Sequence, residues 1–252
     1  CMLSGETAIG QYPRETVDMM NRIMLETEAA KLAAARRTDL DLQQMTKALD
    51  ARAKAATYLG YPAARDLDGS LLSTCLDLLL NNIGDPFARG TWKVDSHEFE
   101  REVLAFFAKL LRAPGENWWG YVTNGGTEGN LYGLYLAREL HPKGMVYLSQ
   151  DSHYSVTKNV RFLNMRHIMI RSQPNGEIDY EDLRETINLH RDSPPIVFAN
   201  IGTTMTEAKD DIGRIQAMIT DLAIPNFYIH CDAAMSGAIA PFLDEPPPFD
   251  FA

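Results

Sequence analysis

Residues 119–130 read WGYVTNGGTEGN, from Trp119 to Asn130, and residues 131–137 continue LYGLYLA. The aromatic and β-branched run at 120–123 predicts a strand, and the apolar spacing after Asn130 predicts a helix running to residue 140. Three glycines, a threonine and a glutamate therefore occupy a strand-to-helix seam. Glycine there permits close backbone approach. The unpaired N–H groups at the start of the helix, together with the Thr127 hydroxyl, form a place for an anion, and a phosphate is its natural occupant. No Gly-Lys-Ser/Thr follows and the spacing is not G-x-G-x-x-G, so the signal is for a phosphate and not for a nucleotide. The plainer alternative is a glycine turn with Thr127 as helix cap.

Working outward from this seam, short β-rich runs alternate with helical stretches. Strands are predicted at 145–148, 168–170, 196–200 and 227–231, with helices ending near 163 and covering 180–189 and 212–222. That rhythm predicts an α/β fold, a mostly parallel sheet flanked by helices. Toward the amino terminus the chain reads as helical, with amphipathic patterns at 14–35 and 41–58 and a helix at 98–111 that Asp95-Ser96 is placed to cap. The chain is thus expected to divide into a helical extension at 1–36, a helical segment at 37–95 and a sheet-bearing domain at 96–252. It contains no internal repeat or low-complexity tract.

Composition narrows the function. With 45% hydrophobic residues in 252, the chain can bury a substantial core. Its 24 Lys+Arg against 34 Asp+Glu give a net charge of -10, which repels phosphate backbones and argues against a nucleic-acid partner. No apolar run approaches the roughly 20 residues of a membrane helix. Cys1, Cys75 and Cys231 are odd in number and scattered, which argues against a disulfide scaffold and a thiolate metal site and suits a reducing, cytoplasmic setting. The chain opens on Cys1 and reads as a segment of something longer.

In parallel α/β sheets ligands bind where loops leave the carboxyl ends of the strands. The chemistry-bearing residues fall there. His153 follows the second predicted strand in Ser149-Gln150-Asp151-Ser152-His153. Thr203 and Thr204 follow the strand at 196–200, and Asp232 ends the last strand, ahead of Ala233 and Ala234. Taken singly, His153 reads as a structural imidazole and Asp232 as a cap or structural ion pair. On one edge they make an anion cradle, a flat ring for stacking, hydroxyls, and a carboxylate that can keep a ring nitrogen protonated. That set suits pyridoxal phosphate, whose protonated pyridine acts as an electron sink.

From about residue 42 to 252 the chain resembles the group II pyridoxal-phosphate-dependent amino-acid decarboxylases, among them the histidine decarboxylases. The resemblance rests on WGYVTNGGTEGN, DSHYSV at 151–156, SQPNGEIDYEDL at 172–183, FANIGTT at 198–204 and HCDAAMSGAIAPF at 230–242. Weaker likeness lies in Leu59-Gly60-Tyr61-Pro62 and NNIGDPF at 81–87. It implies the large domain of a fold type I, aspartate aminotransferase-like enzyme, a homodimer, and conversion of an L-amino acid, most closely histidine to histamine, with loss of CO2. Gly126 and Thr127 would then contact the cofactor phosphate, His153 would stack on the pyridine and Ala234 would pack on its other face. Asp232 would pair with the ring nitrogen, and Thr204, with Thr203, would hydrogen-bond near the reacting centre.

The family's covalently bound lysine is expected in a Ser-Gly-His-Lys motif a little beyond the HCDAA segment, whereas the last lysine here is Lys209. Neither Lys209 nor Lys158 lies in that motif. An alternative reading is therefore an inactive fragment or fusion product that binds cofactor noncovalently, and a second alternative is a decarboxylase of serine or an aromatic amino acid. Residues 1–33 instead resemble the MLSGETA segment of pyruvate kinase. Some thirty residues cannot form that family's barrel of about 250, so Ser4 and Glu6 read as helix-capping residues.

Overall fold

The computed structural model describes residues 43–44, 47–48, 69–77, 84–88, 95–115 and 117–251. The chain divides into two compact units, Cys1–Leu78 and Leu79–Ala252. In the first, residues 43–44 and 47–48 are helical and Ser70–Asp77 forms a 3-10 helix. The helix expected at 14–35, the pyruvate-kinase-like stretch at 1–33 and the motif at 59–62 lie outside the described residues.

The second unit holds the sheet. Helix α1 (His97–Leu110) is followed by α2 (Gly126–Leu140), β1 (Met145–Ser149), α3 (Tyr154–Phe162), β2 (Arg166–Ile170), α4 (Tyr180–Leu189), β3 (Pro195–Asn200), α5 (Ile212–Asp221) and β4 (Tyr228–Asp232). The strands lie in the order β2-β1-β3-β4, and every pair is parallel. Register pairs Ser149 with Ile170 and Asn200 with Asp232, so the carboxyl ends share one edge. The alternation read from the sequence is this sheet.

One strand is not there. Residues 120–123 are irregular and join no ladder of the described sheet. Their aromatic character serves packing instead: Trp119 and Tyr121 both lie against Tyr132 of α2, with ring centroids 5.5 and 5.1 Å apart. The Val122 N–H donates to Glu100 of α1 at 2.8 Å, where a strand would have donated to a neighbour.

Strand alternation sorts the core into two layers. On one face Val146, Leu148, Ile196 and Phe198 pack with Leu134 and Ala137 of α2 and Val156 and Val160 of α3. On the other, Tyr147, Val197 and Ala199 pack with Leu183 and Ile187 of α4 and Ile215 and Ile219 of α5. Each fully buried aliphatic side chain contributes about 1.5–3 kcal/mol, and strands buried on both faces read as continuous apolar runs. The helices begin where oxygen acceptors allow. Asp179 accepts the N–H groups of Glu181 and Asp182 at 3.1 Å, and Asp211 accepts that of Arg214 at 2.9 Å. At α1 the capping oxygen comes from Asp95, which accepts the His97 N–H at 3.1 Å. No helix among the described residues is long and apolar enough to cross a membrane.

Candidate cofactor site

The seam at the start of α2 is a purpose-shaped turn. Gly125 has φ +144°, a conformation that side-chain-bearing residues rarely adopt. Glu128 folds back over it. One carboxylate oxygen accepts the backbone and side-chain N–H groups of Asn124 at 3.0 and 2.8 Å, and the other accepts the Tyr121 hydroxyl at 3.0 Å. The Asn124 backbone bond, with the others, holds the Glu128 carboxyl below its usual range, while burial and Glu128 push the Tyr121 phenol up to about 12. The glutamate at the seam is thus a capping residue that closes the turn. The first helical bonds run from the Glu128 and Gly129 N–H groups to the Gly125 carbonyl. The N–H groups of Gly126 and Thr127 stand ahead of that first bond, at the positive end of α2.

Gly126 faces the loop after β4. A Cβ at this position would sit 2.8 Å from the Ala234 methyl, closer than real contacts allow, so only glycine admits that methyl against the turn. Asn159 of α3 donates to the Thr127 carbonyl at 2.9 Å and fixes the turn from its other side.

Asp232, 9% exposed, ends β4 beside this turn. One oxygen accepts Asn130 Nδ2–H at 2.8 Å and the other accepts the Ala234 N–H at 3.2 Å. The Asn130 Oδ1 faces His230 Nε2 at 2.8 Å. Burial pushes the His230 imidazole down to about 4, against the opposing pull of the Asp232 charge, so the ring is neutral at physiological pH. It lies with its centroid 4.9 Å from that of Phe198 and directly against α2, where a Cβ on Gly133 would fall 2.3 Å from the ring.

At the end of β1, His153 is the N-cap of α3. Its Nδ1 is 2.8 Å from the Ser155 hydroxyl and accepts the Ser155 N–H at 3.4 Å. Tyr154 lies against the ring at 4.2 Å between centroids. Beneath this loop runs a buried polar chain: Asn200 of β3 reaches Ser149 at 3.2 Å, and its N–H and side chain both donate to Asp210.

Thr203 is buried and occupied. Its hydroxyl pairs with Thr206 at 2.6 Å and accepts the Ala208 N–H at 3.1 Å, so it shapes the loop after β3. Thr204, next in the same loop, is exposed. That loop adjoins Asp232 through the bond from the Ile201 N–H to the Asp232 carbonyl at 2.8 Å.

Of the residues singled out from sequence, Gly126, Asp232 and Ala234 are brought into one cluster, with Thr127 at its rim. His153 is set apart from Asp232 by β3, two strand spacings or roughly 10 Å across the same edge. Asn130, His230, Asn200 and Asp210 were not singled out. The sequence feature that points toward them is Gly133, a glycine inside a helical pattern, which the structure places against the His230 ring. Two surface cavities of about 300 and 460 Å3 both have Tyr121 and Glu128 in their walls, and neither is lined by Asp232, His153 or Thr204.

The geometry fits a phosphorylated cationic ring. A buried acid stands at one end, and a helix start at the other is narrowed by the Gly126–Ala234 contact, which leaves no room for a side chain. Comparison with known proteins agrees. Residues 61–247 match the model of the pyridoxal-dependent decarboxylase conserved domain. The chain is 54% identical to histidine decarboxylase of Mesorhizobium japonicum over 77% of its length and 53% of that protein. It is 47% identical to histidine decarboxylase of Morganella morganii over 77% of its length and 52% of that protein. The chain thus spans about half the length of the curated relatives it matches. Among solved structures, L-methionine decarboxylase from Streptomyces sp. 590 superposes with a TM-score of 0.73 at 24% identity, covering 86% of this chain and 61% of that one. The fold is therefore that of the fold type I enzymes that use pyridoxal 5'-phosphate, and the chain belongs to the pyridoxal-dependent decarboxylase family.

Proposed function

We propose that this chain is part of a pyridoxal-phosphate-dependent carboxy-lyase that converts L-histidine to histamine and CO2. The observation that carries the chemistry is Asp232: a buried carboxylate at the end of β4, oriented by two N–H donors, beside the glycine turn at the start of α2. The choice of histidine rests on relatives named histidine decarboxylase at 47–54% identity.

When bound, pyridoxal phosphate supplies an electron sink, a protonated pyridine that accepts the electron pair left behind as the substrate carboxylate departs as CO2. The protein's residues create the conditions for this. The Gly126 and Thr127 N–H groups and the Thr127 hydroxyl bind the phosphate at the positive helix end. Asp232 holds the proton on the ring nitrogen, since an adjacent carboxylate favours the cationic form. His153 would cover one face of the bound ring and Ala234 the other. Thr204 hydrogen-bonds near the reacting carbon, and Thr203 fixes the loop that carries it. Lys158 lies over the Tyr154 ring at 4.7 Å, and Lys209 bonds the Glu207 carbonyl at 3.4 Å, so neither is assigned a part.

We extend the reading to a homodimer in a reducing, cytoplasmic setting. Its support is the apolar face that α1 exposes, with Phe99, Val103, Phe106 and Phe107, and the two described cysteines, Cys75 and Cys231, both free. The test is CO2 release from histidine, serine, tyrosine and glutamate by a longer form that carries the family's lysine. Release from histidine alone is expected. Release from serine but not histidine would overturn the substrate.

A further inference from the structure

Asp232 can accept hydrogen bonds and cannot donate them when ionised, so the Asn130 group facing it at 2.8 Å must be the Nδ2 amide. That fixes the orientation of the amide and turns Oδ1, an acceptor, toward His230 Nε2 at 2.8 Å. His230 must then carry its proton on Nε2. Asn130 comes from α2, 100 and 102 residues away in sequence from His230 and Asp232 of β4, and Gly133 is shaped to admit the imidazole against α2. A cation in the place of Asn130 would also steady the carboxylate, but it would compete with a cationic ring for the same charge. A neutral amide orients the acid without spending that charge.

Resting on the assignment of Asp232 to the ring nitrogen, we propose that His230 and Asn130 are positioning residues. They form a neutral hydrogen-bond chain, His230 Nε2–H to Asn130 and Asn130 Nδ2–H to Asp232, that holds Asp232 as an ionised acceptor for a protonated pyridine. Burial of the imidazole supports this, because a ring pushed down to about 4 stays a single-proton donor across the working pH range. Asp232 is the charged group that opposes this push.

The test uses the protein titrated with pyridoxal 5'-phosphate carrying 15N in its ring, reading ring protonation by NMR. Asp232→Asn is expected to lower sharply the pH at which the ring nitrogen loses its proton. Asn130→Ala and His230→Phe should lower it by about one unit each, a tenfold loss of preference for the protonated ring. His230→Gln, whose amide can still donate to Asn130, should restore most of it. If Asp232→Asn moves the midpoint and the Asn130 and His230 variants do not, this inference fails while the role of Asp232 stands. If Asp232→Asn moves nothing, the role of Asp232 fails and takes the inference with it. The cofactor-free protein gives a check that needs no variant: its His230 should show a proton on Nε2 and none on Nδ1 from pH 5 to 8, and the reverse tautomer would overturn the chain of donors.

Discussion

Two buried acids serve adjoining strands of this sheet edge: Asp232 ends β4, and Asp210, in the loop after β3, accepts the N–H of that strand's last residue, Asn200. Asp210, 2% exposed, is met by three N–H donors: the Ile178 and Asn200 backbones, each at 2.7 Å, and the Asn200 side chain at 3.3 Å. Asp232 is met by two, one of them a side chain. A carboxylate has about four lone-pair sites. Asp210 is nearly saturated from its own loops, and burial raises its pKa despite those bonds. Asp232 is oriented but retains acceptor capacity beside the helix start. Burial alone does not distinguish the two acids; remaining acceptor capacity does.

The largest expected difference lies between their alanine variants. Asp210→Ala strands two buried backbone donors and should cost about 2–5 kcal/mol in urea unfolding. Asp232→Ala strands one side-chain and one part-buried backbone donor and should cost about 1–3 kcal/mol, while abolishing decarboxylation in a longer form bearing the family's lysine. Near-normal turnover by that variant would remove Asp232 from the chemistry.

Gly133→Ala comes next, because its methyl would collide with the His230 ring; overpacking of this kind costs about 1–3 kcal/mol. Thermal melting checks it, and His230→Ala in the same background should recover part of the loss by making room.

Acid titration separates the two sites by sign. The folded value of His230, about 4, lies below its unfolded 6.5, so the unfolded chain binds more protons between them. Its contribution is full above pH 6.5 and is lost as pH falls toward 4, by up to about 3 kcal/mol. The folded value of Asp210 is raised above 3.8, so its slope is opposite: its contribution declines as pH rises above 3.8. Unfolding measured from pH 4 to 7 should show a positive slope that His230→Gln flattens.

The smallest effect is expected at Glu128→Ala, which removes the fold-back cap of α2. A loss of a few degrees in Tm is anticipated, with weaker binding of inorganic phosphate as the accompanying readout. Unchanged phosphate binding would separate the cap from the anion turn.

Much of this fold was legible because strands buried on both faces spell continuous apolar runs and the helices between them keep a 3.6-residue period. The run at 120–123 failed as a strand for a physical reason. Trp119 and Tyr121 satisfy their apolar surface against Tyr132, and the Val122 N–H finds a carboxylate, so no ladder is needed. The site divides in the same way. Gly126, Thr127, Asp232 and Ala234 stand in short motifs legible in the sequence, the first two at the start of α2 and the others at and after the end of β4. The partners of Asp232 and the saturation of Asp210 arise from contacts between segments far apart in the chain, which local spacing does not encode. Thr203 carried a hydroxyl in a suggestive place, yet that hydroxyl is occupied by Thr206 and Ala208.

The hydrogen bond from Asn159 to the Thr127 carbonyl has a mechanical meaning. It yokes the start of α2 to the body of α3, whose N-cap is His153. On the proposed reading, the turn assigned to the phosphate and the imidazole assigned to the ring face are therefore joined through one helix, and a change at Asn159 would reach both.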